Sequence, residues 1–316
     1  MNVFKRAFST TKYLRSAIYD GTASSLGKSE FNEGLLSKDI PSVKLAYDLI
    51  NEKSNTSNPR PPVLILHGVF GSKSNNRTIA KQLNAKLERD VYCLDLRNHG
   101  ESPHNERHDY PSLAADVEKF IESNNLGKSI LVGHSMGAKA AMAVSLRRGD
   151  LVEILVSVDN SPVNLQPSSL FPKYINILER IVSNKEIKTS KEADQYFAKF
   201  EKDQVVRQFL LQNIKKNKET GELESRIPLE TLKNALVKGN IAAWEYDSNF
   251  NRYMGPSLFI RGTVSKYVPD EYIPEIGKFF PNFEVRDIEA GHWVMAEKPK
   301  ETLDVLVDYI ERNEDI

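Results

Sequence analysis

The sequence predicts an α/β fold: a mostly parallel central sheet flanked by helices, with a helical cap inserted between two late strands. Three observations carry that prediction. Strand-like and helix-like segments alternate from residue 42 onward. Most of the strand-like segments are continuous apolar runs, the pattern of a sheet covered on both faces. The alternation stops between residues 163 and 255, where only helical patterns occur, and then resumes. Alternation of this kind implies βαβ units with helices on both sides of the sheet.

In order, "SVKLAYDLI" (42–50) reads as a strand, and "NEKSNTSNPRPP" (51–62) as a polar, proline-containing turn. "VLILHG" (63–68) is an apolar run ending in glycine. "NRTIAKQLNAKL" (76–87) has helical spacing, with Asn75 or Asn76 placed to cap it. "DVYCLDLR" (90–97) is a strand, "SLAADVEKFIES" (112–123) a helix and "SILVGH" (129–134) a strand. "MGAKAAMAVSLRR" (136–148) is rich in helix formers, and "EILVSVD" (153–159) is again a strand. The interruption holds "YINILERIVSN", "KEADQYFAKFEKDQVVRQFLLQNIKKN" and "LETLKNALVKGN", all helical in pattern. After it come the strands "SLFIRG" (257–262) and "FEVRDIE" (283–289) and the helix "KETLDVLVDYIERN" (300–313). The core is thus 40–162 with 256–316, and the cap 163–255. A separate helical domain is the alternative, but the returning strands favour an insertion that closes a pocket over the sheet edge.

Forty-three basic residues balance 43 acidic ones, so no net field recruits nucleic acid or an anionic membrane. No apolar run reaches the length of a membrane span. The single cysteine, Cys93, excludes an internal disulfide and a cysteine metal cluster; within "VYCLDL" it reads as a small buried hydrophobe. Residues 1 to about 20 stand apart: Lys5, Arg6, Lys12 and Arg15, several hydroxyl residues and no acid before Asp20. That is the composition of a mitochondrial transit peptide, with a disordered basic tail as the other reading, and it places the expected location in mitochondria.

The chemistry centres on Gly133-x-Ser135-x-Gly137 between a strand and a helix. A strand that turns sharply into a helix needs glycine two positions either side of the apex, and it thrusts the apical hydroxyl into the open. A serine nucleophile then needs an oxyanion hole. Met136 N–H at the helix start is one donor. "HGVFGS" (67–72) supplies the loop for the other, Val69 N–H, with Phe70 as its close rival. The base is His292 in "EAGHWVMAEKP", after the last strand, where the chain order serine, acid, histidine puts it. His67 is read as orienting the loop. His104 and His108, four apart but bracketed by prolines in a loop, lack a third ligand at helical spacing, so no metal is expected. Asp159, at the end of "ILVSVD", is favoured as the acid over Asp270 and Glu271, which follow a proline where acids cap helices. Ser265 fills the position in "FIRGTVSKYVPD" where such enzymes commonly carry the acid, and is expected to bond the same carboxylate or histidine.

"LHGVFGSKSNNRTIA", "DLRNHGESPH", "VGHSMGAKAAM", "VDNSPV" and "GHWVMAEKP" together resemble the α/β-hydrolase superfamily. The fit is nearest to the YbfF-like esterases and the mitochondrial abhydrolase-domain-11-like proteins. The resemblance runs from about residue 42 to 313 and is weakest over the cap. It implies an acid after the strand that follows the nucleophile helix and a serine in the usual acid position, as Asp159 and Ser265 match. The yeast members of this group include ethanol acetyltransferases. The resemblance therefore implies acetyl transfer from acetyl-CoA to ethanol, with thioesterase and acetyl-esterase side activities. The partners are a small acyl donor and an alcohol or water, and no cofactor is implied beyond acetyl-CoA as substrate. Ala138 stands where animal members commonly have glycine, which favours the yeast group. Lys73 and Arg77 lie where coenzyme A phosphates could be met, or face solvent. A plain mitochondrial carboxylesterase or thioesterase fits every motif equally. A non-catalytic binding protein of the same fold fits less well, because all three residues of the triad are present.

Overall fold

The computed structural model describes residues 40–314, so the transit-peptide expectation for residues 1–20 lies outside the described chain. The apolar runs form a seven-stranded sheet because both its faces are covered. In β2 (Val63–Leu66) every residue is fully buried, and with a period of two the side chains divide between the faces. Leu64 and Leu66 enter the core that packs under α2 (Tyr110–Ser123) and α3 (Met136–Arg147). Val63 and Ile65 enter the core shared with α1 (Arg77–Leu87) and the C-terminal helix α10 (Pro299–Asn313). The remaining strands are β1 (Tyr47–Ile50), β3 (Val91–Leu94), β4 (Ser129–His134), β5 (Val152–Val158), β8 (Ser257–Gly262) and β9 (Phe283–Ile288). Their spatial order is β1-β3-β2-β4-β5-β8-β9, parallel throughout except that β1 runs antiparallel to β3. Cys93 is buried in β3, and burial pushes its thiol up to about 12.

Local chemistry moved several boundaries. The strand read over 42–50 pairs only from Tyr47. Before it, Val43 N–H donates to Asp116 Oδ1 and Ala46 N–H to Ser102 Oγ, so side chains take the donors a ladder would have used. Asn75 caps a preceding 3₁₀ turn (Lys73–Asn76) by accepting from Ser72 N–H at 2.7 Å, while Asn76 sits at the N-cap of α1 without a side-chain cap bond. Helix α2 begins two residues earlier than its apolar pattern suggested. Asp109 accepts from Ser112 N–H at 2.9 Å, and Pro111 occupies the first turn, where its missing N–H costs nothing.

The segment between β5 and β8 contains α4 (Leu170–Ser183), α5 (Ser190–Phe197), α6 (Gln204–Leu211) and α7 (Leu229–Val237). It also contains a hairpin of β6 (Ile214–Lys216) and β7 (Leu223–Ser225), which corrects the expectation of helix alone. The continuous helical pattern from residue 191 breaks before Asp203, which caps α6 by accepting from Val205 N–H at 2.8 Å. The hairpin was hidden because its strands are short and charged. Its turn is set by Asn217 Oδ1, which accepts from the N–H groups of Glu219 and Thr220, and by Gly221 at φ 72°. The two ends of the inserted segment meet where Leu165 N–H donates to Ala242 C=O at 2.9 Å. Beneath that junction the buried Lys139 of α3 donates to the carbonyls of Val163 (2.7 Å) and Ala242 (3.4 Å). Its Nζ lies 5.2 Å from the Tyr110 ring and 5.9 Å from that of Trp244, and burial lowers its pKa to about 7.

Buried neutral imidazoles hold the loops that lead to the strand ends. His67 Nε2 accepts from Leu96 N–H at 3.0 Å while its Nδ1–H donates to Gly68 C=O, which orients the loop after β2. His99 Nε2 accepts from Phe70 N–H at 3.2 Å. Desolvation lowers the pKa of His67 to about 4 and of His99 to about 3, and holds His108 well below its ordinary value. His134 is lowered by burial and by the neighbouring His292 to about 4.

A Cβ at Gly133 would stand 2.2 Å from Gly137 C=O, and one at Gly137 would stand 2.3 Å from Leu66 C=O. Alanine at either position should cost about 3 kcal/mol or more in urea unfolding, because only backbone could move aside. Gly127→Ala, at φ 65° but with nothing within 4 Å, should cost about 1–2 kcal/mol. The four histidines titrate near 6.5 once unfolded but stay neutral in the fold, so unfolding takes up protons below that pH. Stability should therefore fall as pH drops from 6.5 towards 4, by about 1.4 kcal/mol per pH unit per histidine. Melting temperatures between pH 7 and 5 test this; a flat profile contradicts it.

Candidate active site

Three strand ends converge on one point. β4 delivers Ser135, whose backbone (φ 55°, ψ −115°) lies far from the helix that begins with Met136. Its N–H is tied to Val158 C=O at 3.0 Å. β5 delivers Asp159, also at positive φ (53°), with its N–H held by Ile260 C=O at 2.7 Å. The loop between β9 and the short helix α9 (Val294–Glu297) delivers His292. Phe70, in the loop after β2, is a third residue at positive φ (66°). Such conformations cost about 1–3 kcal/mol each and persist where surrounding structure imposes them.

The side chains form a continuous chain. His292 Nε2 lies 2.9 Å from Ser135 Oγ, and His292 Nδ1 lies 2.7 Å from Asp159 Oδ2. Asp159 is fully buried, and donors surround its carboxylate, as a buried polar group requires. Gly262 N–H donates to Oδ1 at 3.1 Å, and the Ser265 hydroxyl donates to Oδ2 at 2.5 Å. With Nδ1–H donated to Asp159, Nε2 presents its lone pair to the Ser135 hydroxyl. That arrangement can draw off a proton and free the oxygen to attack a carbonyl carbon.

Of the two rival amides in the loop after β2, Phe70 N–H is committed to His99, which leaves Val69 beside Ser135. Met136 N–H is the first of α3 and has no partner within its own helix. The rival acids stand apart. Asp270, with its side chain 87% exposed, pairs with Arg261 at 2.5 Å, and Glu271 faces solvent. His104 Nε2 donates to Arg226 C=O, and His108 Nδ1 accepts from Asn98, so the two rings serve different loops. Among the described residues there is no group of three or more His, Cys, Asp or Glu placed to hold a metal. Nor is any described helix long and apolar enough to cross a membrane. Lys73 does not reach outward to a phosphate. Its buried ammonium is shared between Asp95 (3.2 Å) and Glu101, and Arg77 is paired with Asp48.

Three residues at the centre escaped sequence reasoning. The Tyr267 ring stacks on His292, centroid to centroid 3.9 Å at 17°. Its N–H donates to Ser265 Oγ, and its hydroxyl accepts from Ser168 N–H at the start of the insertion. His134 Nε2–H donates to the His292 carbonyl at 2.7 Å, holding the loop that carries the imidazole. Asn160 Nδ2 donates to the Ser135 carbonyl at 3.0 Å. Their only signals were adjacency to Ser135, Asp159 and Ser265, because no periodicity marks a contact made across the fold.

Two cavities meet at Ser135. The larger, about 250 Å³, lies among Phe70, Ile79, Phe171, Phe209 and Trp293 and is lined by His292. The smaller, about 10 Å³, is lined by Val69, Met136, Lys139, Asn160, Ile241 and Tyr267.

The α/β-hydrolase fold family model matches residues 61–299. A probable alcohol acetyltransferase of Saccharomyces cerevisiae is 49% identical over 298 residues, covering 89% of this chain and 87% of that protein. An sn-1-specific diacylglycerol lipase, ABHD11, of Xenopus tropicalis is 37% identical and covers 93% of this chain and 92% of its own. Among solved structures, a marine microorganism esterase superposes with a TM-score of 0.75 at 32% identity, over 85% of this chain and all of that one. The chain belongs to the α/β-hydrolase fold family, in its abhydrolase-domain-11-like branch near the yeast alcohol acetyltransferases.

Proposed function

We propose that the protein transfers acyl groups through an acyl-enzyme on Ser135, and specifically that it is an alcohol O-acetyltransferase using acetyl-CoA. The observation that carries the reading is the unbroken chain from Asp159 through His292 to Ser135, at 2.7 and 2.9 Å. His292 takes the Ser135 proton as Oγ attacks the acyl carbonyl, and the Val69 and Met136 N–H groups receive the developing oxyanion. Asp159 fixes the imidazole tautomer and stabilises the imidazolium. The imidazolium then protonates the departing thiolate. In the second half His292 deprotonates the acceptor, an alcohol in transfer or water in hydrolysis, and Ser135 leaves as the hydroxyl. Ethanol as acceptor gives ethyl acetate; hydrolysis of acetyl-CoA and acetyl esters accompanies it. No cofactor takes part, since acetyl-CoA is consumed as substrate. Likeness to the S. cerevisiae protein supports the acetyl-transfer reading, and the basic residues 1–19, which hold no acid, support a mitochondrial location. The second reading, a carboxylesterase or thioesterase on an apolar ester, is favoured by the apolar walls of the larger cavity.

Ser135→Ala and His292→Ala should each lower kcat by about 10⁴-fold or more, because members of such a unit fail together. Asp159→Asn should cost about 10³- to 10⁴-fold, whereas Asp270→Asn should change activity less than twofold; the reverse order would assign the acid to Asp270. Purified protein given acetyl-CoA and ethanol should release ethyl acetate, and free acetate as sole product would leave only the hydrolase reading. Tyr267→Ala should lower kcat about tenfold with little change in KM, and Tyr267→Phe, which keeps the stacked ring, should restore most of it. Equal losses in both variants would show that the hydroxyl, not the ring, matters.

A further inference from the structure

We infer that the two cavities beside Ser135 divide the ester between them: the small one holds the acyl group, and the large apolar one holds the alcohol. On that division, the acceptors that suit the site are primary alcohols with a medium-length alkyl chain. This rests on the proposed acyl-enzyme at Ser135 and goes beyond it in naming the acceptor class.

The tetrahedral carbon formed on Ser135 carries four groups: Oγ, the oxyanion, the leaving group and the acyl substituent. The oxyanion points to the Val69 and Met136 amides. The leaving group must lie against His292, because His292 Nε2 delivers its proton. In the reverse half-reaction the acceptor hydroxyl gives its proton to the same nitrogen, so it enters from the same side. Only the acyl substituent has no need of His292. Of the two cavities that reach Ser135, the large one is lined by His292 and the small one is not; a third opening, about 540 Å³ beside Tyr267 and His292, does not border Ser135. The small cavity is lined instead by Met136, and Val69 and Ser135 border both. The acyl substituent therefore goes into the small cavity, and the leaving group and acceptor into the large one.

Size then sets chemistry. A space of about 10 Å³ accepts a single water-sized group, which is one methyl. Its walls cannot retreat easily. Lys139 is locked to two carbonyls, Asn160 to the Ser135 carbonyl, and the Tyr110 hydroxyl to the Ile241 carbonyl at 2.8 Å. The large cavity, about 250 Å³ and walled by Ile79, Phe171, Phe209 and Trp293, offers apolar contact that ethanol would leave mostly unused. The pantetheine arm of the acetyl donor passes through the same space and departs before the alcohol enters. Atoms balance in both halves. A C–S bond breaks as the Ser135 C–O bond forms and the thiol leaves protonated; then the serine ester breaks as the alkyl acetate C–O bond forms, and the alcohol proton returns to Ser135.

The test uses the full-length protein. Hydrolysis of p-nitrophenyl acetate and octanoate reads the acyl side. Transfer from p-nitrophenyl acetate to ethanol, butanol and hexanol, with products resolved by gas chromatography, reads the acceptor side. Acetate should exceed octanoate at least tenfold in kcat/KM, and hexanol should exceed ethanol by about tenfold or more, since each buried methylene adds a few-fold. Ile241→Ala should narrow the acetate preference by opening the small cavity. Val205→Trp, at the exposed mouth of the large one, should cut hexanol transfer more than ethanol transfer. Octanoate matching or exceeding acetate, or ethanol matching hexanol, would overturn the assignment while leaving the acyl-enzyme standing. Loss of all Ser135-dependent turnover would overturn both.

Discussion

The contact on which the site depends is between backbones. Gly137 lies so close to the Leu66 carbonyl, and Gly133 so close to Gly137, that neither position has room for a methyl group. This close approach packs α3 against two strands and leaves Ser135 at the apex of a bend it would not adopt alone. Every other element of the site is arranged around that apex. Val69 approaches from the strand carrying Leu66, Asp159 from the strand paired on the other side, and His292 from beyond β9. The local cost is spread over three residues at positive φ, each locked by hydrogen bonds to a neighbouring strand or loop.

Buried polar groups do comparable work around it. Four neutral imidazoles and a fully buried carboxylate lie around it, each held by at least one named partner, while His108 Nε2 is buried and left unpaired. The Asp159 carboxylate is the clearest case. It has no arginine beside it; it is held by the amide of Gly262, the hydroxyl of Ser265 and the imidazole of His292. On the proposed mechanism these bonds let it fix the orientation of the His292 ring.

Most of the sheet was legible because a strand buried on both faces leaves a run such as "VLIL" or "EILVSV" that nothing else in a soluble chain resembles. Ser135 stood out because the bend imposes glycine at fixed offsets, and His292 because the chain order places it after the last strand. Asp159 was read as the acid from its strand end, and the geometry brings it to His292. What stayed hidden has a common cause. The β6–β7 hairpin carries charges on short strands, so its pattern gave no period. The breaks around Asp203 came from a cap inside a strong helical pattern. Tyr267, His134 and Asn160 act through contacts made across the fold, between residues distant in sequence or through backbone carbonyls. Lys73 resembled a surface cation until its partners in the following strand and loop were in view.

Lys139 grips Val163 and Ala242, the first and last parts of the inserted segment, from the same helix that begins at Ser135. The ends of the insertion are thereby latched next to the reaction centre, and its middle meets the core again where Gln212 and Asn213 donate to the Phe70 carbonyl. Helices α5 and α6 can exchange residues without altering the distance between His292 and Ser135, since nothing in that chain of hydrogen bonds passes through them. A lineage could in this way retune what the larger cavity admits by editing the α6 residues that line it, with the Ser135–His292–Asp159 geometry inherited intact.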